Sequence, residues 1–472
     1  MLAYVGLLWA IGYAVARRSR GSLDTFYTAE RKAHWFWVSY SMVGTALSGL
    51  TFLSLPGSVK TDSWTYLQVV AGYGAGYLAT AFVLLPLYYR YAKASVYEYF
   101  RQRLGAPAEK TATWLFLLSR GFGSSLRLFL ALWVLKAFWP GVPFPLLSAI
   151  AIALILSYSL RSGVAALIYT DFLQTTVFIG AAAYTAYFLL SQDVLACAAS
   201  PKILDTNSAS PHFWVKDFLS GALMAFTMTG LDQDQMQKNL SLPTLRHAQK
   251  NLLLYAVWLF PVNALFLGLG SLLWGYVDCH GVPVKAPDEL YLSVVAHLGS
   301  PLLTALFVVG LTASSFSSAD GTLTALTTVT LRNLLPARYE TPRTKNLLMG
   351  LWAGVFWGLL LVYTLIPREE HLLGFFLKLS GYFYGPLLGL FLFSRLEVQP
   401  HPLHRHVPWA LVASVLVALA TEAILPFDLG YARIVWMAGV TCAGLWIAIR
   451  AFQTLRRVAA SKSERTSKNV LD

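Results

Sequence analysis

Between Gly310 and Asn333 the chain reads GLTASSFSSADGTLTALTTVTLRN. Hydroxyls stand at Thr312, Ser314, Ser315, Ser317, Ser318, Thr322, Thr324, Thr327, Thr328 and Thr330, with one carboxylate at Asp320. Ser314, Ser317 and Ser318 follow the i, i+3, i+4 spacing that lines one face of a helix. A row of hard oxygens suits a small hard cation. The competing explanation is local: serines inside apolar helices often bond back to the carbonyl of the preceding turn. A second acid, Asp171, lies eight residues into its own apolar segment, about 12 Å deep at 1.5 Å per residue. Two arginines, Arg120 and Arg127, stand two turns apart and share a helix face to within about 20°. Arg127 is about 22 Å along its helix, too deep to snorkel easily, so its charge needs a partner.

These groups need apolar helices to hold them. Hydrophobic residues make up 56% of the 472 and charged residues 12%, against about 25% charged in soluble domains, and the mean hydropathy is +0.56. The composition is that of an all-α, polytopic membrane protein. At about 20 apolar residues per crossing, about thirteen spans are expected, near 2–17, 35–59, 64–89, 112–138, 143–160, 163–190, 215–237, 250–276, 298–331, 346–366, 372–394, 408–425 and 431–450. The first is read as a retained helix ending at Arg17-Arg18-Ser19-Arg20 rather than a cleaved leader.

The net charge of +13 raises a nucleic-acid reading. The distribution removes it. Arg17, Arg18, Arg31, Lys32, Arg90, Lys93, Arg161, Lys238, Arg246, Lys250, Arg332, Lys345 and Arg395 all fall at one side of the expected spans, while Lys202, Lys285 and Arg368 fall at the other. The positive-inside rule then places the N-terminus outside and the C-terminus in the cytoplasm of a plasma (inner) membrane protein. Of three cysteines, Cys197 and Cys279 fall in outer segments and could pair; an odd count without a framework more often means free thiols. His401, His404 and His406 have metal-like spacing but no acidic partners, and are read as a solvated loop.

Two spans carry internal breaks. The second holds Gly44-Thr45-Ala46-Leu47-Ser48-Gly49-Leu50-Thr51, and the seventh holds Phe226-Thr227-Met228-Thr229-Gly230-Leu231-Asp232. They lie five spans apart, so they cross in opposite senses. Interrupted helices at matching positions of two inverted halves point to a transport site, where unwound carbonyls bind a cation. Close helix packing through small residues is the alternative for either segment alone.

Three further stretches carry a resemblance. They are 161–174 (RSGVAALIYTDFLQ), 230–240 (GLDQDQMQKNL) followed by Ala248-Gln249-Lys250, and 380–389 (SGYFYGPLLG). With the paired serines, and in this order, the chain resembles the sodium/solute symporter family over nearly its whole length. That resemblance implies the leucine-transporter fold. It divides the chain into an extra N-terminal helix and loop (1–33), two inverted five-helix repeats (34–190 and 215–394) joined by an outer loop (191–214), two C-terminal helices (395–459) and a disordered tail (460–472). The first and sixth core helices are the broken ones.

The family pattern implies a main sodium site at Gly44, Leu47, Ser314, Ser317 and Ser318. Asp171 corresponds to a ligand of a second sodium in those members that bind one. The hydroxyls expected one turn beyond the serine pair are replaced here by Asp320 and Gly321. Asp171 and Asp320 then share a cation or a proton, or Asp320 pairs with a buried arginine such as Arg127. Arg127 is also a candidate to fork a solute carboxylate, as an arginine on the same helix does in sialic acid transporters. Further solute-lining candidates are Thr45, Ser48, Thr51, Gln68, Tyr73, Phe226, Thr229 and Lys378. The expected activity is sodium-coupled uptake of a small polar organic solute by alternating access. No cofactor beyond the coupling sodium, no catalytic residue, no nucleic acid and no obligate protein partner is implied. A proton-coupled or uncoupled transporter of the same fold is the alternative, and a membrane-embedded enzyme a more distant one.

Overall fold

The hydroxyl-rich stretch lies on the helix Pro301–Val329, and every residue from Gly310 to Val329 is buried. That is what lipid demands of such a sequence, because hydroxyls left in hydrocarbon have no partners. The structure is a computed structural model and describes residues 2–19, 22–160, 163–198, 200–365, 372–396, 405–424 and 432–468. Those residues are helical with loops, and no strand occurs among them. Eight helices among them are long and apolar enough to cross a membrane, and one bent pair makes a ninth. The expected thirteen are not reached on that measure. Some expected spans form short helices, such as Phe144–Ser159, or broken ones.

Two compact units are present, one formed by Met1–Val96 with Arg120–Phe376 and the other by Tyr97–Ser119 with Leu377–Asp472. In the first, the Gly163–Leu190 helix packs on Pro301–Val329 and on Trp35–Ala46. Tyr66–Ala79 packs on Trp214–Met224, and the long Leu245–His280 helix runs beside both broken segments' neighbours. In the second, Tyr99 Oη lies 3.1 Å from Ser394 Oγ and Arg103 donates to Ser394 O at 3.1 Å. Arg433 donates to Glu422 at 2.5 Å between the last two helices. The last helix runs to Lys468, past residue 459 where a disordered tail was expected to begin.

Both predicted breaks are present. The helix Trp35–Ala46 stops where Leu47 and Ser48 turn extended (ψ 102° and 176°), and Gly49–Asp62 follows. The flanking segments differ in direction by 64°. Beyond the break, Phe52 anchors the second half by stacking on Tyr291 at 5.1 Å and meeting Phe266 and Phe307 edge-on or tilted. The second break follows Trp214–Met224, where Ala225–Thr229 forms a π-turn and Asp232 turns extended to cap Gln233–Leu240. A π-turn inside a helix is a common mark of a functional segment.

Cys197 and Cys279 are joined in a disulfide, with Cα atoms 5.7 Å apart, and Cys442 is free. The expectation of free thiols from the odd count is corrected here. His401, His404, Arg161 and Arg368 lie outside the described residues.

Candidate functional site

The hydroxyls of the buried helix divide into two groups. Thr312, Ser314, Ser315, Thr327, Thr328 and Thr330 bond back to carbonyls three or four residues earlier, at 2.7 to 3.0 Å. Ser317, Ser318 and, further along, Thr324 do not. Ser317 Oγ donates to Asp171 Oδ1 at 2.6 Å, and Ser318 Oγ is buried with no hydrogen-bond partner. A buried hydroxyl without a partner is a cost that a ligand can remove.

The broken helix meets these serines at Gly44. A Cβ placed on Gly44 would stand 2.2 Å from Thr175 Oγ1, 3.1 Å from Ser317 Oγ and 3.4 Å from the Asp171 carbonyl oxygen. Only a hydrogen fits there. Thr175 Oγ1 is a second buried hydroxyl without a partner. Gly44 lies in the last turn of Trp35–Ala46, where carbonyls lose their in-helix donors. Leu47, 6% exposed, is the extended residue that follows. Ser314 turns its hydroxyl back to Leu311 O, so its backbone rather than its side chain is the group that could reach a cation. Gly44, Ser317 and Thr175 are therefore gathered on one spot, with Ser318 next in sequence on the same helix.

Asp171 is fully engaged. Besides Ser317, it accepts from Thr45 Oγ1 at 3.3 Å and Ser41 Oγ at 3.5 Å, and it forms an ion pair with Lys238 Nζ, which also contacts Thr45 Oγ1. Lys238 is 1% exposed in its side chain. Its place among the charges of an inner loop is corrected: it is a buried counter-ion. Asp320 accepts from Tyr158 Oη at 2.8 Å and from the Gly321 amide at 2.6 Å, and it forms no ion pair with Arg127. Gly321 leaves room for another acid, because a Cβ there would stand 2.7 Å from Asp234 Oδ1. Asp234 accepts from Thr322 Oγ1, which lies 2.7 Å from Ser124 Oγ.

The solute-lining candidates are dispersed. Thr45 faces the Asp171 cluster. Ser48 is buried at the break, and Thr51 is half-buried one turn on. Gln68 ties down the outer segment, donating to His212 O at 3.1 Å and to Asp217 Oδ2 at 3.4 Å, and accepting from Asp205 N at 3.0 Å. Tyr73 Oη lies 2.9 Å from Tyr66 Oη, and its ring neighbours Tyr77, whose hydroxyl donates to Tyr255 at 3.4 Å. Phe226 and Thr229 sit on the π-turn. Arg127 is half-buried on Ala106–Leu135. Lys378 lies on Leu372–Leu396, but its side chain is outside the described residues. Groups not singled out from the sequence include Ser41, Tyr158 and Thr175, and the pairing of Arg120 with Asp232 was not foreseen. Thr175 had a signal: it follows Asp171 by one helical turn.

The sodium:solute symporter family model matches residues 26–396. The chain belongs to the sodium:solute symporter family. This symporter is 24% identical over 420 residues to the sodium/sialic acid symporter NanT of Aliivibrio fischeri, covering 83% of this chain and 81% of that one. It is 26% identical over 465 residues to the sodium-dependent multivitamin transporter of Oryctolagus cuniculus, covering 91% and 69%. Its fold matches a solved Na+-coupled sialic acid symporter in a substrate-bound outward-open state, with TM-score 0.79 at 17% identity, over 95% of this chain and 96% of that one. The protein is thus a multi-pass secondary transporter, not an enzyme, with sodium as its coupling ion and a solute as its cargo.

Proposed function

We propose that the symporter carries a small polar organic solute into the cell, with sodium bound between Gly44, Leu47 and Ser314 carbonyls and the Ser317 and Ser318 hydroxyls. One observation carries the assignment. In a helix where most hydroxyls bond back to their own turn, Ser317 and Ser318 do not, and they differ from Thr324, which also lacks such a bond, in that Ser317 stands against the break at Gly44 with Ser318 beside it in sequence. Hard oxygens without thiol or imidazole suit sodium. The solute is placed near the two breaks, with the tyrosines Tyr66, Tyr73 and Tyr77 and the π-turn residues Phe226 and Thr229 as its walls. Arg127 would attract a carboxylate there, which accords with a relative named for sialic acid.

The N-terminus is assigned to the outside and the C-terminus to the cytoplasm. The lysine and arginine bias supports this, and so does the Cys197–Cys279 disulfide, since such bonds persist on the oxidising side of a membrane. The test is solute uptake into proteoliposomes under an inward sodium gradient, a proton gradient or neither. A panel of carboxylates, sugars and amino acids is first narrowed by sodium-dependent thermal stabilisation. Uptake driven equally well by protons, or indifferent to both ions, would overturn the sodium assignment.

A further inference from the structure

Asp171 sits where a second cation was expected, and the structure supplies that cation from the chain itself. The Lys238 ammonium pairs with Asp171 Oδ2 and contacts Thr45 Oγ1. Ser41 and Ser317 complete the surroundings through the carboxylate, at 3.5 and 2.6 Å. The two charged side chains are 1% and 0% exposed. A monovalent charge enclosed by hydroxyl and carboxylate oxygens is the environment a small hard cation takes. An ammonium carries the same single charge and replaces metal–oxygen contacts with donated hydrogen bonds.

Lys238 differs from a diffusible ion because its helix is fastened. Asp232 caps Gln233–Leu240 through Gln235 N at 3.2 Å and pairs with Arg120 at 2.6 Å. Gln237, beside Lys238, donates to Tyr27 O at 2.8 Å and to Thr328 Oγ1 at 2.9 Å. The contacts to Arg120, Tyr27 and Thr328 thus tie the helix that carries Lys238 to three other segments.

We propose that Lys238 is a tethered cation that fills the monovalent site at Asp171, so that the symporter binds and moves one sodium per solute. This rests on the sodium site assigned to Gly44, Ser317 and Ser318. Lys238→Ala would leave a buried carboxylate without compensation, which is strongly destabilising, and would open a space that a second sodium can enter.

The purified full-length protein tests this by equilibrium binding of radioactive sodium, by unfolding temperature against sodium with choline holding ionic strength constant, and by the sodium dependence of uptake. The wild type is expected to bind a single sodium, with a Hill slope of about one. Lys238→Ala should unfold at lower temperature without sodium, gain a larger sodium-dependent stabilisation than the wild type, and show a slope rising toward about two. The double variant Lys238→Ala, Asp171→Asn has neither charge and should lose that added sodium response. A wild type that binds two sodium ions overturns the proposal even if no variant folds. A Lys238→Ala protein whose sodium response equals that of a responsive wild type also overturns it. A wild type with no sodium response at all overturns both this proposal and the site on which it rests.

Discussion

Arg120 Nε donates to Asp232 Oδ2 at 2.6 Å, with both side chains buried, and the other oxygen of the same carboxylate caps the helix Gln233–Leu240. One acid therefore does two separable jobs. It compensates an arginine charge within the bilayer, and it fixes the start of the short helix that carries Asp234 and Lys238.

The two jobs can be told apart by substitution. Asn caps a helix about as well as Asp but carries no charge. Asp232→Asn should lower stability by up to about 3–5 kcal/mol, the range for breaking a buried pair. Asp232→Ala should cost about 1 kcal/mol more, through the lost cap. The apparent unfolding temperature in detergent should fall in the order wild type, Asp232→Asn, Asp232→Ala. Equal values for the two variants would show that the cap contributes nothing.

Gly44 gives a prediction about space. Gly44→Ala puts a methyl 2.2 Å from Thr175 Oγ1, so the helices must separate. Overpacking of this kind costs about 1–3 kcal/mol, and here it also moves a carbonyl assigned to sodium. Uptake should be lost. Thr175 Oγ1 has no hydrogen-bond partner, so Thr175→Ala alone should be mild, and in the double variant it should recover part of the stability and uptake. A double-mutant cycle measures that coupling. Additive losses would mean that the clash at Thr175 is not what excludes a side chain at position 44.

The cysteines predict a labelling pattern. With Cys197 and Cys279 joined, only Cys442 should react with a maleimide in the denatured, unreduced protein, and all three after reduction. Cys279→Ser should expose Cys197 to a membrane-impermeant maleimide added to intact cells, which also checks the outward assignment of that loop. The bridge closes a long loop, with a sequence separation of 82, so its loss should cost about 2–4 kcal/mol by loop-closure reasoning. Labelling of all three without reductant would overturn the disulfide.

Much of the scaffold was legible because its signals are local. Hydroxyls crowded into an apolar run cannot face lipid, and Gly44 and Gly49 bracket the helix break at Leu47 and Ser48. What was not legible depends on partners far along the chain. Lys238 follows an amide-rich, acidic segment near a helix end, and by itself looks like a loop charge. Its burial follows from Asp171, 67 residues away. Asp320 invited pairing with Arg127, but Tyr158, 162 residues earlier, holds it instead. A tyrosine on an apolar helix gives no sign of which acid it will meet. The bond-back tendency of serine is likewise the same for Ser314 and Ser318 in sequence, and only packing separates them.

That separation yields the sharpest test of the sodium site. Ser318 Oγ makes no hydrogen bond within the protein, whereas Ser317 Oγ donates to a carboxylate. Ser318→Ala therefore removes no internal hydrogen bond, and without sodium it should be at least as stable as the wild type, because it removes a buried hydroxyl left unpaired. If the hydroxyl is a ligand, the sodium concentration for half-maximal uptake should rise about tenfold, equivalent to about 1.4 kcal/mol. Ser317→Ala loses a hydrogen bond to a charged group, so it should be less stable by about 1.5–3 kcal/mol even without sodium, and it should lose sodium dependence as well. Unfolding temperatures with and without sodium, together with uptake curves, distinguish the two. A Ser318→Ala protein with wild-type sodium dependence would remove that hydroxyl from the site, and the partnerless oxygen would then need another explanation.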